Sequence, residues 1–179
     1  KVKVQIDKFE KIYNDTYNKT LKYVVIKCNN IDDINDIMQE TYLELLNKMK
    51  RNKLEKVENI DNYIIGIATN IIKRHYTKKK KENIISYDDE DNITELLIQD
   101  DFNLEESIIT KYNIDKVWDY IKNKELITIK IFYLYFGLGL KISEIAQELG
   151  VGESNIKNKI YRTLKELKKY LGEEVNKNG

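Results

Sequence analysis

The feature that most constrains this sequence is the absence of proline from all 179 residues. Proline and glycine interrupt regular backbone structure most often, and the chain has only 7 glycines. It is also rich in Lys, Glu and Leu, which favour helices. Because few residues of these two types divide the chain into short strands, we predict an all-α protein. Its length and its 41% apolar content suffice for one ordinary domain or two small ones.

Apolar residues recur at helical spacing through the first half of the chain. A first helix is predicted to end at Asn29-Asn30, and a second to begin near residue 31. In the second helix, Asp33 and the acids that follow it fall outside the apolar stripe, so its outer face is predicted to be acidic. Residues 50–59 form a predicted loop, after which Asp61 is expected to cap a third helix. The predicted buried stripe of the second helix consists of Ile34, Ile37, Met38, Tyr42, Leu45, Leu46 and Met49.

Charge is distributed unevenly along the chain, although the formal net charge is only +1. Residues 73–81 include six Lys or Arg and no acid, whereas residues 82–106 include ten acids and no Lys or Arg. Residues 154–170 carry six basic residues against one acid, Glu166. Bulk charge therefore does not identify a nucleic-acid-binding protein, but two basic segments that flank an acidic one are candidate contacts with a polyanion.

Cys28 is the only cysteine and His75 the only histidine. A Cys/His zinc site, an internal disulfide and a Ser/His/Asp triad are therefore excluded within this sequence. We expect no catalytic residues, no metal site and no cofactor. The longest apolar run, residues 131–140, is shorter than the ~20 residues that cross a bilayer, and the start lacks a signal-peptide pattern. We expect no membrane insertion and a cytoplasmic location.

The last part of the chain has the pattern of a helix-turn-helix. This motif needs a small residue where two helices approach, a residue that tolerates positive φ at the turn, and an apolar residue after it. Ala146, Gly150 and Val151 occupy these positions. A helical hairpin with a solvated basic face is the alternative. If the apolar stripe of the last helix faces inward, the outward set that can bond base edges and phosphates is Ser154, Asn155, Lys157, Asn158, Tyr161 and Arg162.

With the helix-turn-helix in place, the stretch DIMQETYLELL at residues 36–46 becomes informative. It closely resembles the acidic, Gln-Glu-containing helix in region two of bacterial sigma factors. The resemblance implies that this helix docks on the clamp helices of the RNA polymerase β′ subunit. The residues expected to bind polymerase are Asp36, Gln39, Glu40 and Glu44. Their i, i+3, i+4, i+8 spacing is consistent with this role, because it puts them on one face that can meet a basic partner.

The stretch NYIIGIATNIIKR at residues 62–74 is similar to the sigma-factor segment that melts and reads the minus-ten element. Unstacked single-strand bases favour aromatic platforms and a basic track for the backbone. The residues expected to contact the minus-ten DNA are Tyr63, Asn70, Lys73, Arg74, Tyr76 and Lys78. By resemblance, Asn70 is the best candidate for a base contact. The loop at residues 50–60 is the expected pocket for a flipped base.

Residues 126–171 look like sigma region four, which reads the minus-thirty-five element with its last helix and binds the flap of the polymerase β subunit. The acidic stretch matches in position the linker that threads the polymerase in this family, although a solvated, disordered linker is an equal alternative. We predict a region-two domain over residues 1–82, an acidic linker over 83–107 and a region-four domain over 108–174. No region-three domain fits between them, which indicates the extracytoplasmic-function (ECF) subgroup.

The predicted function is therefore that of an alternative sigma factor, which is not an enzyme. Its expected partners are core RNA polymerase, promoter DNA and, by resemblance, an anti-sigma factor. One rival is a helix-turn-helix regulator that binds duplex DNA without polymerase, and the other is a polymerase adaptor with no DNA role. Stable binding to core polymerase would exclude the first rival. Promoter-specific transcription that depends on Lys157 and Arg162 would exclude the second.

Overall fold

The computed structural model describes residues 2–80 and 114–177, with side chains over 6–77 and 114–172. The chain divides into two compact units, residues 1–87 and 88–179. All regular structure in the described ranges is helical, so the predicted all-α class is confirmed. The predicted acidic linker at 83–107 and the start of the predicted second domain at 108–113 lie outside the described residues. Within those residues, no helix is both long enough and apolar enough to cross a membrane.

The first unit contains α1 (Val2–Lys27), α2 (Asp33–Lys50) and α3 (Ile60–Lys80). Each of these helices packs on the other two, as their apolar stripes require. The predicted end of the first helix is confirmed, because α1 stops just before Asn29. Side chains that are at most 1% exposed form the core, including Val24, Val25, Ile34, Ile37, Leu45, Ile64 and Ile71.

A hydroxyl network lies between α1 and α2. Thr16 and Thr20 are each only 1% exposed. Both satisfy their protons on α1 itself, since Thr16 Oγ1 donates to the Ile12 carbonyl at 2.7 Å and Thr20 Oγ1 to the Thr16 carbonyl at 3.0 Å. The Tyr42 hydroxyl donates to Thr20 Oγ1 at 3.3 Å and lies 3.0 Å from Thr16 Oγ1. Burial raises the pKa of Tyr42, against the opposing effect of these hydrogen bonds.

Two predictions at helix starts are wrong. Asp33 was expected outside the core but is only 9% exposed. It lies in the first turn of α2, where the positive end of the helix dipole stabilises a carboxylate. Asp61 does not cap α3, because Asn59 Oδ1 accepts the backbone N–H of Asn62 at 2.9 Å and thus fills that role. Asp61 instead pairs with Lys19 on α1, with Nζ and Oδ2 2.5 Å apart.

The second unit contains α4 (Ile114–Ile121), α5 (Leu126–Phe132), a π-helical turn (Tyr133–Gly137), α6 (Ile142–Leu149) and α7 (Glu153–Lys177). The predicted stripe of the last helix is buried, since Ile156, Ile160, Leu164, Leu167 and Leu171 are each at most 5% exposed. Trp118 is half-buried. It lies against Tyr133, with ring centroids 5.2 Å apart.

The helix that begins at Leu126 is a regular α-helix only as far as Phe132. There the hydrogen bonds lengthen by one residue, and the backbone N–H of Leu138 donates to the Tyr133 carbonyl at 3.1 Å. Gly139 follows with φ +66°, a left-handed conformation that favours glycine. These two features turn the chain from α5 into α6.

Candidate nucleic-acid interface

The outer face of α2 carries the residues predicted to bind polymerase. Asp36, Gln39 and Glu40 are exposed, and the Glu44 side chain keeps 38% of its area. Leu43 lies among them with 53% exposed. Leu43 was not among the predicted contacts, although its place outside the buried stripe was the available signal. The face therefore combines carboxylates with one apolar side chain, a chemistry that suits a basic partner with an apolar contact.

Side chains of α3 reach across to this acidic face. Arg74 Nη2 lies 3.6 Å from Glu40 Oε2 and also 3.6 Å from Glu44 Oε2. His75 Nε2 lies 3.1 Å from Glu40 Oε1. Lys48, one turn along α2, brings its Nζ to 3.5 Å from Glu44 Oε1. Residues predicted to bind polymerase and residues predicted to bind DNA therefore meet in one charged cluster.

The rest of the α3 surface presents a polar and basic strip. Asn70 and Lys73 are exposed, and Tyr63 is half-exposed one turn after the start of the helix. The Lys48 ammonium lies 5.8 Å from the centre of the Tyr63 ring, a cation–π contact. Gly66 is exposed between Tyr63 and Asn70, and no atom lies within 4 Å of the position a Cβ would take. The surface in front of this strip is therefore open, and Gly66 was not among the predicted residues.

Tyr76 and Lys78 are placed differently from the other predicted minus-ten residues. The Tyr76 hydroxyl accepts the backbone N–H of Asn29, at the connection between α1 and α2. The Tyr76 ring is half-buried within the unit, and this burial raises the pKa of Tyr76. The structure does not bring Tyr76 together with Tyr63 and Asn70. Lys78 belongs to α3, but its side chain lies outside the described residues.

The turn between α6 and α7 has the geometry that the helix-turn-helix pattern predicts. Gly150 has φ +69°, which few other residues adopt. The backbone N–H groups of Gly150 and Val151 both donate to the Ala146 carbonyl, at 3.0 and 3.2 Å, and end α6. At the other end of α6, the backbone N–H of Lys141 donates to Glu144 Oε2 at 2.8 Å. Hydrogen bonds thus fix both ends of the short helix.

The predicted DNA-binding residues of α7 lie on its outward side. Ser154, Lys157, Tyr161 and Arg162 are exposed, whereas Asn155 and Asn158 are half-exposed. Lys157 lines an open groove together with Tyr135, Lys141 and Ser143. Of the predicted residues, it is the one that lines this groove between α6 and α7.

Two other charged residues of α7, Lys159 and Glu166, form ion pairs within the second unit. Lys159 Nζ lies 3.1 Å from Glu125 Oε2, and the lysine side chain is only 21% exposed. Glu166, the one acid of the basic segment, accepts a hydrogen bond from Lys124 Nζ at 2.6 Å. That bond lowers the pKa of Glu166. Burial lowers the pKa of Lys124, but the hydrogen bonds to Glu166 and Tyr120 outweigh it and raise the pKa overall. With Glu166 paired in this way, the basic character of the outward side is preserved.

Comparison with protein-family models matches residues 9–82 to Sigma-70 region 2 and residues 130–167 to Sigma-70, region 4. Together the two matches cover more than half of the chain. The chain belongs to the sigma-70 family. It is an alternative sigma factor of the ECF type, and it directs transcription initiation.

Among solved structures, one of the RsbN–BldN complex aligns with 94% of this sigma factor and 96% of that chain, at 16% identity and a TM-score of 0.36. No curated protein matches the sequence significantly. The predicted contact residues of the sigma factor all fall within the two matched regions. The predicted domain limits, 1–82 and 108–174, are wider than the matches and stay predictions.

Proposed function

We propose that this sigma factor docks on the β′ clamp helices of core RNA polymerase through the outer face of α2. Asp36, Gln39, Glu40 and Glu44 would supply the polar contacts, with Leu43 as an apolar contact among them. The exposure of this set on one helix is the observation that carries the proposal. An acidic face steers and orients a basic partner, while an exposed leucine contributes contact area.

In the proposal, α3 opens and reads the minus-ten element. Asn70 contacts an unstacked base, Tyr63 offers an aromatic surface, and Lys73 follows the phosphate backbone. The loop at residues 50–60 receives a flipped base. Strand separation then draws its free energy from the capture of bases, so the protein needs neither a catalytic residue nor a cofactor.

The second unit is proposed to read the minus-thirty-five element in duplex DNA with α7, and to bind the flap of the β subunit. Arg162 and Asn158 are the candidates for base edges, whereas Lys157 and Ser154 are candidates for phosphates. A helix-turn-helix places its second helix in the major groove, which agrees with the outward position of these side chains.

The proposal also includes an anti-sigma protein and a cytoplasmic location. An anti-sigma protein that covers the outer face of α2 would keep the factor from polymerase. This part rests on family membership alone. The cytoplasm is where the polymerase and the promoter are available together.

The polymerase contact is tested by alanine substitution of a Gln-Glu pair that occurs twice in the chain. Gln39→Ala with Glu40→Ala alters the proposed docking face, and Gln147→Ala with Glu148→Ala alters the same exposed pair on α6. Binding of the full-length factor to a β′ clamp-helix fragment is measured by titration. We expect a loss of at least tenfold for the α2 pair and none for the α6 pair, in line with truncation of residues central to an interface. Equal affinities of both variants and the parent would contradict the docking face.

The whole activity is tested by adding the protein to core RNA polymerase and sequencing the transcript starts. A defined set of start sites that share upstream elements is expected. Transcription that starts at the same sites with and without the factor would refute the proposed promoter contacts. The helix-turn-helix rival predicts no stable complex with core polymerase, and the adaptor rival predicts no effect of Lys157→Ala with Arg162→Ala.

A further inference from the structure

The contacts between α2 and α3 connect two surfaces that carry different proposed roles. Glu40 and Glu44 belong to the proposed polymerase face, whereas Arg74 belongs to the predicted minus-ten surface. Arg74 Nη2 lies 3.6 Å from a carboxylate oxygen of each glutamate. We call Glu40, Arg74 and Glu44 the bridging cluster. Its members cannot all keep these contacts while the glutamates meet polymerase and the arginine meets DNA.

The contacts of the bridging cluster are long and exposed to solvent. At 3.6 Å the contacts are ion pairs longer than the 2.7–3.2 Å typical of hydrogen bonds. The side chains are also open to water, with 59% of Arg74, 47% of Glu40 and 38% of Glu44 exposed. Exposed pairs of this kind stabilise a protein little. A basic surface that docks on α2 can therefore displace Arg74 at small cost.

We propose that Arg74 exchanges partners between the two surfaces. In the free factor Glu40 and Glu44 hold it against α2, and when polymerase occupies those carboxylates the guanidinium passes to the phosphates of the melted promoter strand. The inference rests on the proposed docking of α2 on polymerase. By linkage, DNA that binds Arg74 also frees the glutamates and tightens the polymerase contact by the same factor.

A polymerase-free assay tests this exchange directly. The full-length factor is titrated into a fluorescent AT-rich single-stranded oligonucleotide at low ionic strength. Glu40→Gln with Glu44→Gln frees Arg74, whereas the matched control, Asp32→Asn with Asp36→Asn, removes two exposed charges at the start of α2. Neither control carboxylate has an ion pair with Arg74 among the described residues, and each substitution removes the charge while it keeps the size of the side chain.

We expect the glutamate variant to bind the oligonucleotide about fivefold more tightly than the control variant, which is the size expected when two exposed ion pairs are released. In an Arg74→Gln background the difference between the two variants should vanish. Circular dichroism melting confirms that each variant is folded.

Three results would overturn the inference. Equal gains for the glutamate and control variants would mean that only net charge matters. A gain that persists with Arg74→Gln would assign the effect to another cation, such as Lys48. Failure of every variant to bind the oligonucleotide would mean that a freed Arg74 does not reach phosphates. The clamp-helix titration contains no DNA and this assay contains no polymerase, so failure of one is distinguishable from failure of the other.

Discussion

Lys157 and Lys159 are two residues apart on α7, and the structure predicts opposite consequences for their removal. Lys157 is exposed and lines the open groove beside α6, whereas Lys159 is paired with Glu125 inside the unit. We therefore expect Lys157 to contact a phosphate and Lys159 to contact none. Alanine at either position removes the same charge and the same side chain, so each variant is the control of the other.

The magnitude follows from counterion release. Each phosphate that a lysine neutralises contributes about −0.9 to the slope of log affinity against log salt concentration. A fourfold rise in salt, from about 50 to about 200 mM, then costs about 3.5-fold in affinity per contact. Lys157→Ala should make the slope less steep by about 0.9. The affinity of this variant should therefore fall about 3.5-fold less than that of the parent over this range. Lys159→Ala should keep the parent slope and lower the free energy of unfolding by up to about 1 kcal/mol.

The assay is fluorescence anisotropy of duplex promoter DNA with the reconstituted holoenzyme, repeated at several salt concentrations. Contacts made by the rest of the complex are the same for both variants and cancel in the comparison. An unchanged slope for Lys157→Ala, or the same change of slope for Lys159→Ala, would refute the division of roles along α7.

Four further predictions concern other parts of the molecule. Arg162→Ala should weaken binding to the upstream promoter element by about 1–3 kcal/mol and relax sequence preference at one base pair, measured by competition with mutated duplexes. Asn70→Ala should slow open-complex formation, which is followed by permanganate footprinting. Equal rates for the variant and the parent protein, on both the original and the mutated minus-ten sequences, would contradict this prediction. Tyr42→Phe should lower the free energy of unfolding by only about 0.5–1.5 kcal/mol in urea, because both threonines keep their backbone acceptors. Because the pKa of Glu166 is lowered by Lys124, its contribution to stability is present above the ordinary value of 4.5 and is lost as the pH falls below it, so Glu166→Gln should flatten the decline in stability at acid pH.

Much of the core was predictable, because a helix with one buried face repeats its apolar residues at a period near 3.6. Ile34, Ile37 and Leu45 on α2 illustrate this, and so do the five apolar residues of α7. Thr16 and Thr20 were not predicted, because a threonine that bonds to its own helix can be either buried or exposed, and here both also meet Tyr42 as a partner on α2. That partner depends on how two helices cross, which the spacing within one helix does not encode.

The sequence predicted which residues belong to each surface, but it did not predict that the two surfaces lie side by side. The exposure of Asp36, Gln39 and Glu40 follows from their place outside the stripe of α2. The contact of Glu40 with Arg74 does not follow, since it depends on the rotation of α3 against α2. Two predicted sets of residues that lie apart in the sequence therefore meet in three dimensions.

The π-helical turn from Tyr133 to Gly137 has a consequence for the direction of the helix-turn-helix. Each residue of an α-helix turns the chain by about 100°, so a wide turn that closes over five residues instead of four shifts the phase of everything after it. Shortening this turn by one residue would rotate α6 and α7 about the axis of α5, although the predicted DNA-contacting side chains would keep their positions on α7 itself. The direction of α7 thus depends on the turn from Tyr133 to Gly137, none of whose residues is among the predicted DNA contacts.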